Sequence, residues 1–274
     1  MKPTTGSSVM RRIADDVREK VRAGVYKPED KLPTSKALAA EYEVTAKTVE
    51  RAYDLLKETG DIVGRRGAGM FVAPRPPAIH RHSDRHQTEK DRVHLTDQER
   101  STWGAAEATT KLPTDAFRFE AEFSNVLADE KLAEIFGIDV GARLLRRDFR
   151  SYAGGSSIPQ GLTTSFLPYD IPSRNPELFD SSREPWPGGT QHQLSTVGVE
   201  VVEVTEDIAA RDADPDEAEE LGLPERSTVM VIEKTTVGLE SDGGRRRVVD
   251  YSVVLLPAAR TRLTYRIPLA PWSS

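Results

Sequence analysis

Cysteine is absent from this 274-residue chain, which excludes disulfides, thiol nucleophiles and thiolate metal sites and fits a reducing compartment. Long apolar runs are missing too: no stretch approaches the roughly eighteen residues that a membrane-crossing helix needs. The opening Met1 to Met10 has no apolar core of the kind a secretory signal carries, so the expected location is the cytoplasm. Aromatic residues are only 7% of the chain, but apolar residues reach 37% and charged residues 30%. That balance belongs to folded, soluble proteins rather than to disordered ones.

Positive charge is scarce overall and unevenly spread. The formal net charge is -6. Residues 1 to 75 hold 15 Lys and Arg against 11 Asp and Glu, a local excess of +4, whereas residues 76 to 274 hold 23 against 33, a deficit of -10. A basic module can be drawn to phosphates while an acidic remainder keeps the molecule soluble.

The length suits two domains, each able to bury its own core. Between them, Ala73 to about Arg92 reads APRPPAIHRHSDRHQTEKDR, rich in proline and charge and poor in apolar residues. It is expected to be a linker, giving residues 1–74 as the first domain, 75–92 as the linker and 93–270 as the second domain. His80, His82 and His86 within it lack a carboxylate shell, so solvated histidines are expected rather than a metal site.

In the first domain Val9, Ile13, Val17 and Val21 recur every four residues after a cap at Ser7 or Ser8, and Gly24 stops the helix they predict. A second helix follows a cap at Thr34 or Ser35. Thr45 caps a third, in which Val49, Ala52, Tyr53 and Leu56 face inward and Lys47, Thr48, Glu50, Arg51 and Asp54 face out. Asp61 to Gly64 and Met70 to Val72 predict a hairpin whose tip, Arg65, Arg66, Gly67, Ala68 and Gly69, is basic and glycine-rich. Three helices with a tight turn before the third, then a basic hairpin, make a winged helix-turn-helix.

DNA contact is read directly from these residues. Thr45, Lys47, Thr48 and Arg51 lead the third helix, where short polar and cationic side chains reach base edges and the helix dipole favours phosphate. Gly67 and Gly69 let the wing backbone approach the sugar-phosphate surface, and Arg65 and Arg66 are long enough to enter the minor groove or pair with phosphates.

Leu32 to Val72, LPTSKALAAEYEVTAKTVERAYDLLKETGDIVGRRGAGMFV, resembles the DNA-binding domain of the GntR family of bacterial regulators. Leu32-Pro33, Leu38-Ala39, Val44-Thr45, Thr48-Val49, Ala52, Leu56, Gly60 and Gly67-Ala68-Gly69 with Phe71-Val72 carry the likeness. The resemblance adds Ser35 and Lys36 to the contact set, at positions where the family usually has Glu-Arg. The family's arginines are replaced by Ala46 and Glu50, which shifts contact onto Lys47, Arg51 and the wing, and Glu50 is suited to accept from a cytosine amino group.

In the second domain a short helix is predicted over Ala128 to Gly137 and strands over Arg143 to Tyr152, Pro159 to Pro168 and Val197 to Asp207. An acidic helix over Asp212 to Leu221 and a closing hairpin, Val229 to Gly238 with Arg247 to Leu256, complete an α+β sheet domain. PQGLTTSFLP, Glu206-Asp207-Ile208, Leu221-Gly222-Leu223 and the hairpin reaching Asp250 resemble the UTRA domain found in the HutC-like branch of the family. The resemblance implies a chorismate-lyase-like fold holding a small anionic or polar effector. It places Arg150 as an anion-holding arginine, Ser165 as a donor to a ligand oxygen and Asp250 where a glutamate is common, while Asp148, Thr163 and Leu256 depart from the usual residues.

The expectation is a mixed α+β protein: a winged helix-turn-helix head and a UTRA-like domain that binds effector and dimerises. Its function is that of a homodimeric repressor on double-stranded operator DNA with imperfect palindromic symmetry, released by a small molecule, with no cofactor and no membrane partner. The alternatives are a chorismate-lyase-like enzyme fused to the head, against which no nucleophile-base pair or metal cluster is evident, and a regulator that ignores effectors.

Overall fold

The computed structural model describes residues 6–74, 78–101, 117–153, 156–224, 226–241, 244–267 and 269. They divide into two compact units, one of residues 1–75 with 214–227 and the other of residues 76–213 with 228–274.

The first unit begins with α1 (Gly6–Arg22), α2 (Ser35–Glu41) and α3 (Ala46–Glu58). Ser7 and Ser8 are therefore inside α1 rather than ahead of it. Ile13, Ala14 and Val17 from α1 are buried with Leu38, Val49, Ala52, Tyr53 and Leu56 in one apolar core, as the four-residue spacing requires. The Tyr53 hydroxyl donates to the Pro33 carbonyl at 2.7 Å, which satisfies the one polar atom that this side chain brings into the core. Strands β1 (Ile62–Arg65) and β2 (Gly69–Val72) then pair antiparallel as the wing.

The predicted linker is built into the second unit. Ile79–His82 forms β3, which precedes α4 (Arg85–Asp91) and α5 (Asp97–Ser101). The partner of β3 is β10 at the far end of the chain (Thr261–Thr264), paired parallel, and Ile79 is buried against Ile232, Val254 and Leu256. Charged, proline-flanked residues read as loop because nothing local reveals a pairing partner some 180 residues away in sequence.

The main sheet has six antiparallel strands in the order β4-β5-β6-β9-β8-β7. They are β4 (Phe117–Leu127), β5 (Arg143–Ala153), β6 (Gly161–Pro168), β7 (Val199–Asp212), β8 (Thr228–Glu240) and β9 (Arg246–Pro257). Strand β4 was not anticipated, and β7 runs five residues past its predicted end. The Gly154-Gly155 turn and the Asp242-Gly243 tip lie outside the described residues.

Helix α6 (Glu130–Phe136), capped by the Asp129 side chain and ended by left-handed Gly137, packs on one face of the sheet through Leu132, Ala133 and Phe136 against Leu144 and Tyr251. Helix α7 (Gly189–Ser195) covers the opposite face, where Leu194 joins Leu167, Ile171 and Val199. The acidic run between β7 and β8 forms α8 (Pro215–Glu220), begun by a capping box between Asp214 and Glu217; it groups with the first unit.

Candidate functional sites

Thr45 has extended backbone, and its hydroxyl oxygen accepts from the Thr48 amide at 3.3 Å, which caps α3. Capping fixes where the helix starts, and so which side chains its exposed face presents. Lys47 and Arg51, one turn apart, are both exposed with Glu50 beside them, and Thr48 is half-buried against the Thr45 hydroxyl. Among the described residues neither Lys47 nor Arg51 has a hydrogen-bond or ion-pair partner, whereas the next acid along, Asp54, is held by Lys57 at 2.8 Å. The leading turns of α3 therefore offer free cations.

In the wing, Arg66, Gly67 and Ala68 form the exposed turn, with Gly67 at φ 72° and Gly69 at φ 112°. A Cβ on Gly69 would meet Lys31 Cε at 3.3 Å, so this position resists a side chain on two counts. Arg66 is exposed and has no partner among the described residues. Arg65 differs: its guanidinium rests 4.5 Å from the centre of the Phe71 ring and 3.6 Å from Glu29. Ser35 is half-buried and Lys36 exposed on the first turn of α2.

The second unit brings Ser165 and Asp250 together without Arg150. Ser165 Oγ donates to Asp250 Oδ1 at 2.6 Å, and the cation that joins them is Arg147, which donates to Ser165 at 2.8 Å, to Gln193 on α7 at 2.8 Å and to Asp250 at 3.2 Å. Arg150 is an odd number of residues along β5 from Arg147 and so lies on the opposite face of the sheet, half-buried and in register with Glu120. Asp148 is on that face as well and accepts from Thr164 at 2.7 Å.

On the other side of Asp250, Lys234 Nζ sits 3.3 Å from Oδ2, and Ser252 donates to the same oxygen at 3.2 Å. Burial would push the Asp250 carboxyl up, but Lys234, Arg147 and the Ser165 hydrogen bond outweigh it and hold it below the usual carboxylate range. The strand register extends this group across the sheet. Arg147 pairs with Ser165, Ser165 with Ser252, Ser252 with Lys234 and Lys234 with Glu206, so one rung is polar through five strands.

Glu206 ends the rung in a cluster supplied by β3 and α4. Its Oε1 accepts from Arg81 at 2.7 Å, from Arg85, and lies 3.2 Å from His86 Nε2. Burial works against ionisation of Glu206, yet the His86 contact and the charges of Arg85 and Arg81 keep its pKa depressed. Burial chiefly, then the Arg85 charge, lowers Arg81 to about 10; burial likewise lowers the His86 pKa. Arg147, Lys234, Arg81 and Arg85 were not singled out in the sequence, and Glu206 was marked only as part of the Glu206-Asp207-Ile208 motif, not as a site residue. Alternation along β5 marks Arg147 and Arg150 as opposite in facing, but only the pairing of distant strands says which of them meets Asp250.

Comparison with known proteins gives both halves a family. Residues 10–72 match the model of bacterial regulatory proteins of the gntR family, and residues 175–262 match the UTRA domain. An uncharacterized HTH-type transcriptional regulator of Rhizobium meliloti (strain 1021), RB1450, is 26% identical over 94% of both chains. The mannosyl-D-glycerate transport/metabolism system repressor MngR of Escherichia coli (strain K12) is 40% identical over 23% of this chain and 26% of its own. A crystal structure assigned to a GntR-family transcriptional regulator has the same fold, with a TM-score of 0.53 and 24% identity over 96% of this chain and 98% of its own.

Proposed function

Because this chain is a GntR-family transcriptional regulator, with a helix-turn-helix head joined to a UTRA effector domain, we propose that it is a repressor which a small molecule releases from its operator. DNA binding and effector binding follow from the two domains. The sense of control, the operator symmetry and the contacting residues are the inference.

The observation that carries it is the pair of unengaged cations, Lys47 and Arg51, on the exposed face of a capped helix, followed by an exposed Arg66 in a glycine-bearing wing. An exposed cation with no intrachain partner is free to neutralise phosphate and release counterions. In this reading Thr45, Lys47, Thr48 and Arg51 meet the major groove, Ser35 and Lys36 the backbone beside it, and Arg65, Arg66, Gly67 and Gly69 the minor groove or its flanking phosphates. Two copies related by a twofold axis read an imperfect palindrome, and ligand in the second unit changes the placement of the two heads so that they no longer match the half-site spacing. The naming of MngR as a repressor, over a likeness that spans 26% of its length, supports this sense of control.

The test is anisotropy titration of the full chain against a fragment of the promoter of its own gene and against random duplex, at two salt concentrations. Selective binding is expected, with Arg51→Ala weakening it about tenfold or more. Each lost phosphate contact should make the slope of log affinity against log salt shallower by about 0.9. Equal affinity for promoter and random duplex would overturn the regulator reading.

A further inference from the structure

The wing is wider than the β1–β2 hairpin, because residues 29 to 32 run along the other side of β2. Glu29 and Leu32 donate their amides to the carbonyls of Val72 and Met70 at 3.1 and 2.8 Å, Val72 donates to the Asp30 carbonyl at 2.9 Å, and Lys31 bridges antiparallel to Phe71. This segment leaves a turn over Lys27 to Asp30. The Asp30 amide closes it by donating to the Lys27 carbonyl at 3.0 Å, and the Lys27 amide donates to the Asp30 carboxylate at 2.8 Å. The connection from α1 to α2 is therefore part of the wing.

Glu29 sits in that turn against its backbone preference. Its φ is 69°, at the third position of a four-residue turn with Pro28 second, where a positive φ favours glycine. A side chain held in so sparsely populated a conformation points to a role for that side chain. The Glu29 carboxylate stands 3.6 Å from the guanidinium of Arg65 at the end of β1, and the same guanidinium lies 4.5 Å from the centre of the Phe71 ring on β2. Each of the three paired segments of the wing thus supplies one part of a clip: a cation, a ring and an acid.

The clip is loose enough to open. A separation of 3.6 Å is longer than a hydrogen bond, the side chains of Arg65 and Glu29 keep 45% and 40% of their surface, and exposed pairs of this kind contribute little to stability. A guanidinium accepts phosphate oxygens in place of carboxylate oxygens, so a DNA phosphate can displace Glu29 while the ring contact stays. The displacement leaves a carboxylate facing the phosphate chain, a repulsion that the remaining contacts have to outweigh. Arg66, exposed and with no partner among the described residues, needs no such exchange.

We propose that Glu29 is a specificity-determining residue for DNA binding: it keeps Arg65 from the phosphates of arbitrary duplex and gives it up only where α3 is seated on the operator. The proposal rests on the regulator reading above and adds a residue outside its contact set. On non-operator duplex the head is held by long-range charge, and Arg65 stays with Glu29. On the operator, base contacts from α3 draw the wing close enough for phosphate to take the guanidinium, and the exchange cost is covered by those contacts.

Anisotropy titration of the full chain against the promoter fragment and random duplex, over a range of salt, tests it with Glu29→Gln, Arg65→Gln and the double variant. Glu29→Gln should tighten binding to random duplex about fivefold and to the promoter less than twofold, so that selectivity falls. On random duplex its slope of log affinity against log salt should steepen by about 0.9, one further phosphate contact. In the Arg65→Gln background the same substitution should change neither affinity. Glu29→Gly removes the carboxylate and the strained φ together; it should reproduce the loss of selectivity with a higher thermal midpoint, and it keeps the test alive should Glu29→Gln fail to fold. Unchanged affinity for random duplex in the folded variants, equal tightening on both duplexes, or full tightening without Arg65 overturns the proposal. Promoter selectivity of the unmodified protein is read in the same titrations. If it is present and Glu29→Gln has no effect, this inference alone falls; if it is absent, the regulator reading beneath it falls.

Discussion

Asp250 ties the stability of the second unit to pH. Its folded pKa is depressed by Lys234 and Arg147, so its stabilising contribution is present above the ordinary carboxylate pKa of about 4 and is lost as pH falls through the lower folded value. Asp250→Asn leaves two enclosed cations without their shared acid. Urea unfolding at pH 7 should show a loss of about 3–5 kcal/mol, and the gap from the unmodified protein should narrow as pH falls below about 4. A gap that stays constant down to pH 2 would mean that the carboxylate charge is not what stabilises this site. In the head, removal of the α3 cap by Thr45→Ala should cost about 1 kcal/mol in thermal unfolding. It should also weaken promoter binding, because Lys47 and Arg51 are oriented by the helix start that Thr45 sets. Arg150 marks the limit of reading single residues: a cation in a strand is visible in sequence, but its face depends on a register that neighbouring letters do not encode.

At the scale of elements, the wing and the β3–β10 pair make separate predictions. Gly69→Ala must adopt a φ of 112° that side chains rarely take, against Lys31, so a cost of about 1 kcal/mol or more is expected. Its promoter affinity should fall while α3 stays intact by circular dichroism. Deleting residues 261–274 removes β10, and hydrogen exchange should then show loss of amide protection at Ile79–His82 with the main sheet still protected. Persistent protection at those amides would contradict the pairing. The helices of the head were legible because caps, four-residue apolar spacing and stop glycines all lie within a few residues of what they control. The β3 and α4 segments were not, since their stability comes from Glu206, α7 and β10, all more than a hundred residues away.

For the molecule as a whole, a basic head and an acidic remainder imply DNA binding that weakens steeply with salt. The proposed homodimer should sediment at twice the 30.3 kDa mass of the chain and protect two half-sites about one helical turn apart in a footprint; a monomer on a single site would remove the palindromic arrangement. Composition, charge segregation and short-range patterning were enough to establish the two-part architecture, the winged head and the exposed cations on its third helix, because each rests on contacts between near neighbours in the chain. The polar rung, the exchange of Arg147 for Arg150 and the absorption of the linker into the second unit belong to tertiary structure alone. They arise from strand pairing between distant segments, which decides side by side which residues share a face and which of those remain within reach of solvent.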